Sequence, residues 1–234
     1  MNSSFTISKL YRDYGVGLFA DASLLFNMSN CQACPVKEDP IIDLRDPPVR
    51  YLVIGDYPGL EEHQGRRLFI GPAGRFLREL LTKEGIDDDN VAFLNAFLCY
   101  GAHNRINHNN PVYYCQPRIL YYIAYYNPEV IICMGRHACG VLEIPNQDLY
   151  DKPTAYRLET PWFKAYLVAT INPALYLRNK WSDVLYKNIL MAVRLAKCLG
   201  DYDCPTIESV SIGFPDNVQE TRPRGITCNM NEGY

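Results

Sequence analysis

Four short apolar runs, each followed by a segment of helical character, constrain the fold of this chain more than any other feature. Tyr51–Ile54, Val91–Leu94, Val130–Cys133 and Ala165–Ala169 are rich in β-branched and aromatic residues and look like buried strands. Helical segments follow at Ala73–Lys83, where Phe76, Leu77, Leu80 and Leu81 share one face, at Val112–Tyr126, at Ala138–Leu142 and at Ser182–Leu199. Strands and helices that alternate in this way connect by right-handed crossovers, which predicts an α/β fold: a three-layer α/β/α arrangement around a central, mostly parallel four-stranded sheet. Ligands of such sheets bind beyond the carboxyl ends of the strands. Chemistry is therefore expected in the loops after Ile54, Leu94, Cys133 and Thr170.

The chain has 234 residues, 48% hydrophobic and 21% charged, with a formal net charge of −3. That fits one globular domain and neither a disordered nor a fibrous chain. The expected domain covers 1–204; 205–234, with turn formers and few large apolar residues, is expected to be a peripheral or partly disordered tail. Met1-Asn2-Ser3-Ser4 does not open a secretory signal, and no apolar stretch reaches the roughly 20 residues a bilayer requires. The nine cysteines lack the dense spacing of a disulfide framework. The expected setting is thus an intracellular, reducing compartment, with no membrane partner. A charge this close to neutral neither requires nor forbids nucleic acid.

Cys31-x2-Cys34 has the gap that turns two thiolates toward one metal centre, and Cys99 and Cys115 lie on either side of the loop after the second predicted strand. These are four soft ligands, enough for a tetrahedral zinc or a cubane iron–sulfur cluster, and spacing alone also permits four unconnected buried thiols. Cys133 and Cys139 are expected to be plain core residues.

The first loop reads Gly55-Asp-Tyr-Pro-Gly59 and runs on to Arg67-Leu-Phe69-Ile-Gly71-Pro-Ala-Gly74. Asp56 leaves its strand toward the crevice, and Phe69 is an aromatic in a polar loop that could face a planar ligand. Taken singly, a turn aspartate and a core anchor explain them as well. Asn95, at the end of the second strand, carries the donor and acceptor that pair with an amide-like base edge. The fourth loop, Thr170-Ile-Asn172-Pro-Ala-Leu-Tyr-Leu-Arg178-Asn-Lys180, mixes apolar and basic residues as a duplex wedge would.

Together, the four cysteines, Gly55-Asp-x-Pro-Gly59, Arg67-x-Phe69-x-Gly71-x-Ala-Gly74, Asn95-x3-Cys99, Asn104-Arg105 and Asn172-Pro-x-x-x-Leu-Arg178-Asn resemble the family 4, iron–sulfur branch of the uracil-DNA glycosylases in order and spacing, from about Cys31 to about Leu199. The resemblance implies a [4Fe-4S] cluster on Cys31, Cys34, Cys99 and Cys115, in preference to zinc, with a structural role. It implies that Asp56, where the family usually has Glu, positions or activates water, that Phe69 stacks on a flipped base and that Asn95 reads its Watson–Crick edge. Glu62 matches the family's acidic residue beside the base C5 position, a steric gate against thymine. Gly55 and Tyr57 complete the expected base pocket, while Arg67, Arg105, Tyr176 and Arg178 would meet DNA.

Two positions depart from the pattern. Asn172 stands where the family's His-Pro-Ser motif has the histidine that donates to the uracil carbonyl, a loss worth on the order of 10²–10³ in rate for one such donor. Another branch, specific for mismatches, also carries Asn-Pro here. None of the four histidines, at 63, 103, 108 and 137, occupies the missing position. His108, where a related branch traps DNA covalently, is expected to be a solvated loop residue. Tyr57 replaces a small residue, and its phenol would narrow the pocket, pack in the core or select another base. Arg66, Arg67, Arg75, Arg105, Arg178 and Lys180 would give DNA a local basic face despite the net charge. The resemblance implies a monomeric, monofunctional glycosylase that hydrolyses the N-glycosidic bond of uracil or a related pyrimidine in single- or double-stranded DNA, with no lysine nucleophile in its matched loops. The alternative is a DNA-binding relative weakened or inactivated through Asn172 and Tyr57.

Overall fold

A computed structural model describes residues 34–36, 39–101, 114–144, 149–150, 152–159, 164–179, 182–201 and 209–210. The strands are β1 (Tyr51–Gly55), β2 (Val91–Asn95), β3 (Val130–Met134), β4 (Thr154–Glu159), β5 (Lys164–Thr170) and β6 (Ser209–Val210). The helices are α1 (Leu60–Gly65), α2 (Pro72–Lys83), α3 (Gln116–Tyr126), α4 (Arg136–Val141), α5 (Pro173–Arg178) and α6 (Asp183–Asp201), with a 3-10 turn over Asp88–Asn90.

The strands form one sheet in the order β2-β1-β3-β5-β4-β6. The four strands expected from the sequence are its contiguous parallel part, with β1 between β2 and β3 and β3 beside β5. Every residue of β1, β2 and β3 is buried, which is why these strands read as unbroken apolar runs.

The sheet has six strands where four were expected. β4 runs antiparallel to β5, and β6 pairs with β4 at the outer edge. Among the β4 side chains that are described, only Ala155 is buried, so its sequence, Thr-Ala-Tyr-Arg-Leu-Glu, lacks the apolar signature of the inner strands. β6 is two residues long and falls within the segment expected to be a peripheral tail; the rest of that tail lies outside the described residues. Two six-residue helices, α1 and α5, occupy stretches expected to be loops, being too short to show a 3.6-residue period. α3 begins at Gln116, with Pro117 in its first turn, where a missing N–H leaves no bond unmade.

Helix α6 packs on β3 and β5, while α2 packs on α5 and α6. Leu77, Leu80 and Leu81 of α2 are buried, each worth about 1.5–3 kcal/mol of transfer free energy. A buried polar link fixes α6 to the end of β5. Thr170 Oγ1 donates to Asn188 Oδ1 at 2.7 Å, and Asn188 Nδ2 donates to the Leu149 carbonyl at 3.0 Å. No helix among the described residues is long and apolar enough to cross a membrane.

Candidate active site

The chain leaves the carboxyl end of β1 in the middle of the parallel strands, with β2 on one side and β3 on the other, the position where open α/β sheets bind ligands. Asn95, the last residue of β2, is paired with Gly55, the last of β1. Pairing continues past the strand ends, because the Phe97 N–H donates to the Asp56 carbonyl at 2.9 Å. Gly135 follows β3 and donates to the Thr170 carbonyl of β5 at 2.8 Å. Asp56, Asn95, Gly135 and Asn172 thus emerge on one edge of the sheet.

Asp56 is held from two neighbouring strands. Its Oδ1 accepts the backbone N–H groups of His137, at 2.9 Å, and Ala138, at 3.2 Å, in the first turn of α4. Its Oδ2 accepts from Asn172 Nδ2 at 2.9 Å. Asn172 Oδ1 in turn accepts from the Ala174 N–H at 2.9 Å and caps α5, so one amide orients the carboxylate and starts a helix. Burial pushes the Asp56 carboxyl above the usual aspartate range, against the opposing pull of His137, Asn172 and the two backbone donors. Gly135 makes this approach feasible. Its φ of 109° lies in glycine's territory, and a Cβ there would overlap the Asp56 carboxylate.

Beside Asp56, the Asn95 amide and the Phe69 ring meet over Gly55. A Cβ on Gly55 would come within 2.5 Å of Asn95 Oδ1 and 2.9 Å of Phe69 Cζ. Phe69 has a φ of 55°, a conformation a bulky residue keeps only when its surroundings enforce it. Arg78 donates to the Phe69 and Leu68 carbonyls at 3.1 and 3.2 Å, and the Phe69 ring packs on Phe93 with centroids 4.9 Å apart. The Glu62 carboxylate accepts from the Gly59 N–H and is further lowered by the N–H groups of Gly71 and Phe69, although burial is the larger influence and raises its pKa. Glu62 therefore clasps the two glycine-bearing turns of this loop.

Tyr57 is partly buried against Cys34, Val36 and Phe97, in a small apolar cluster that Cys99 and Tyr114 also join. Its ring lies 6.4 Å from that of His137, which meets Phe97 edge-on at 5.1 Å. Cys34 and Cys99 thus share one corner of the molecule. Cys115, buried at the start of α3, follows Tyr114, which packs on both this cluster and the main core. Among the described residues no group of three or more His, Cys, Asp or Glu is drawn together as a metal set, and Cys31 lies outside them.

The residues expected to contact DNA separate into three kinds. Arg67 and Arg178 are exposed near the site. Tyr176 is not on the surface: it is buried against Phe76 at 4.9 Å and Tyr186 at 5.9 Å, because it lies on the inner face of the short helix α5. Arg105 and Lys180, with His103 and His108, lie outside the described residues. Of the other cations, Arg66 donates to the Asp39 and Pro40 carbonyls and Arg75 pairs with Glu61 at 2.6 Å, so both are engaged within the protein.

Gly135, His137 and Asn188 were not singled out as site residues from the sequence. The signal for the first two was their place, since Gly135-Arg-His137 directly follows the third strand, where ligands gather. His137 meets Asp56 through its main-chain N–H, in the first turn of α4 after β3.

The family model of the Uracil DNA glycosylase superfamily matches residues 42–194, which include β1–β5 and every contact to Asp56 described above. A type-4 uracil-DNA glycosylase of Thermotoga maritima is 27% identical over 173 residues, 73% of this chain and 89% of that protein. One from Pyrobaculum aerophilum is 26% identical over 65% of this chain and 82% of its own length, and one from Archaeoglobus fulgidus 24% over 63% and 78%. With the match spanning most of the chain and the site lying inside it, the chain belongs to the uracil DNA glycosylase superfamily.

Proposed function

We propose that this protein is a monofunctional DNA glycosylase that hydrolyses the N-glycosidic bond of uracil, or of a related deaminated or modified pyrimidine, and leaves an abasic site. The observation that carries the proposal is the meeting of a tethered carboxylate, Asp56, with an amide and a ring, Asn95 and Phe69, that converge over Gly55. A base turned out of the DNA stack would lie on the Phe69 ring with its Watson–Crick edge toward Asn95. Glu62 and Tyr57 would border it, Glu62 as the gate at C5.

As the bond between the sugar C1′ and the base nitrogen breaks, its electron pair leaves with the base and positive charge grows on the sugar. Asp56 accepts three N–H groups and keeps lone-pair capacity for one water. It offsets the sugar charge and takes the proton of the water that attacks C1′. Its elevated pKa makes it a stronger base than an ordinary aspartate. Asn172 gives one amide hydrogen to Asp56 and retains the second for the departing base, a neutral donor in place of the histidine of the resemblance.

Cys31, Cys34, Cys99 and Cys115 would hold a [4Fe-4S] cluster. The support is an all-thiol donor set, the two-residue spacing, and the shared corner of Cys34 and Cys99 next to Tyr57. When bound, the cluster braces this corner, and no chemical step passes through it. The protein would act as a monomer on single- or double-stranded DNA in a reducing, intracellular setting, through a single domain over 1–204, with Arg67, Arg105 and Arg178 holding phosphates.

The test is incubation with single- and double-stranded oligonucleotides carrying uracil, hypoxanthine, xanthine or thymine mismatches, followed by hot alkali. Strand scission at a uracil or another altered pyrimidine is expected. Retained DNA binding with no scission on any base would instead favour the inactive DNA-binding relative.

A further inference from the structure

We propose that Arg78 is a positioning residue of this site, whose guanidinium holds the Phe69 ring where a turned-out base would stack on it. The inference rests on the role given to Phe69 above and adds the group that enforces it. Phe69 stands at φ 55°, and without restraint a bulky residue leaves that region for the extended or helical one. Arg78, on α2, reaches back past the start of that helix. Its Nε donates to the Phe69 carbonyl at 3.1 Å and its Nη2 to the Leu68 carbonyl at 3.2 Å, so one planar fork fixes both carbonyls of the turn. With 19% of its side chain exposed, Arg78 makes these bonds largely out of water, where a carbonyl left without a donor is costly.

The same guanidinium also acts on the ring from behind. Its central carbon sits 3.9 Å from the centroid of Phe93, the ring on which Phe69 packs at 4.9 Å. Nη1 pairs with Asp88, which Arg45 holds in turn at 2.8 Å, so the fork is anchored to a residue just before β2. Gly74 lets α2 come this close: a Cβ there would fall within 2.4 Å of the Phe69 Cα, carbonyl carbon and oxygen. Released from the fork, the turn at Leu68 and Phe69 relaxes and the ring leaves its place over Gly55, where it meets the Asn95 amide. The base would then lose its stack while Asp56 and Asn95 stayed where they are.

The test compares the full-length, cluster-loaded protein with Arg78→Gln, Arg78→Lys and Asp88→Asn. Lys keeps the charge without the fork, whereas Asp88→Asn removes the ion pair and keeps both carbonyl bonds. The first readout is the Kd for a duplex carrying 2′-fluoro-2′-deoxyuridine, whose fluorine slows glycosidic cleavage, divided by the Kd for the same duplex with a tetrahydrofuran abasic analogue. That ratio is expected to rise about tenfold in both Arg78 variants, the scale of one base–aromatic stack, and to hold in Asp88→Asn. The second readout needs no DNA. In protein labelled with carbonyl-13C phenylalanine and 15N isoleucine, Phe69–Ile70 is the one Phe–Ile peptide of the sequence and gives a single NMR signal. It should move in both Arg78 variants and stay in place in Asp88→Asn. An unmoved ratio in either Arg78 variant, or an equal rise in Asp88→Asn, overturns the proposal, the latter because it marks a general loss of packing. If the wild-type protein excises no base, the functional proposal fails, while the Phe69–Ile70 signal still decides whether Arg78 holds Phe69: unmoved in the Arg78 variants, it overturns that role as well.

Discussion

At the scale of single residues, Asp56 and Asn172 act as one unit. Asn172 both caps α5 and donates to the carboxylate, so its loss should register in stability and in pH dependence together. In Asn172→Ala, the cap lost is worth about 1 kcal/mol, readable as a lower urea midpoint. The acid limb of kcat/KM reports the free-enzyme pKa of the base. For the wild type it should lie above the roughly 3.9 of an unperturbed aspartate, because burial outweighs the donors. A donor to a carboxylate favours its charged form, so deleting Asn172 should move that limb to still higher pH. A limb unmoved in Asn172→Ala would separate the two residues functionally. Asp56, Asn95 and Phe69 stood out in the sequence through the resemblance of their motifs to the glycosylase family, since a strand end or a glycine-rich turn alone fits a turn aspartate and a core aromatic equally well. The Asp56–His137 contact did not, since 81 residues separate them and only the pairing of β1 with β3 brings them together.

At the scale of elements, the site depends on how strand ends are tied to helices. Gly135 allows β3 to pass into α4 directly beneath Asp56. Gly135→Ala should abolish excision by displacing the carboxylate, and far-UV circular dichroism should show the secondary structure retained. Asn188 holds the end of β5 two residues before Asn172. Asn188→Ala strands the Thr170 hydroxyl and the Leu149 carbonyl in the core, and should cost about 1–3 kcal/mol in chemical denaturation. The inner strands were evident from composition because both faces of the sheet cover them. β4, α1 and α5 were not, since a partly exposed strand near the sheet's outer edge and six-residue helices carry too little periodic signal.

At the scale of the whole molecule, the net charge of −3 says little about the face DNA would meet. Arg66 and Arg75, though exposed, are bonded to acceptors of the protein itself, while Arg67, Arg136 and Arg178 are further exposed arginines on the loops and helices that follow the strand ends. The cysteines divide by location in a way their number does not suggest. Cys133 and Cys139 lie in the core as expected, while Cys34 and Cys99 share the corner that supports Tyr57 and, through Phe97, His137. Purified protein should be brown and contain iron and sulfide, and Cys99→Ser should bleach it; a colourless protein with stoichiometric zinc would contradict the cluster. Asp56→Asn should leave that colour untouched, since Asp56 takes no part in the cysteine corner. The most direct test of the account is alkali-revealed cleavage of uracil-containing DNA by the wild-type protein and by Asp56→Asn under single-turnover conditions. The account predicts cleavage at uracil by the wild type and a rate about 10²–10⁴-fold lower in the variant with iron content unchanged; equal rates in the two proteins would contradict it.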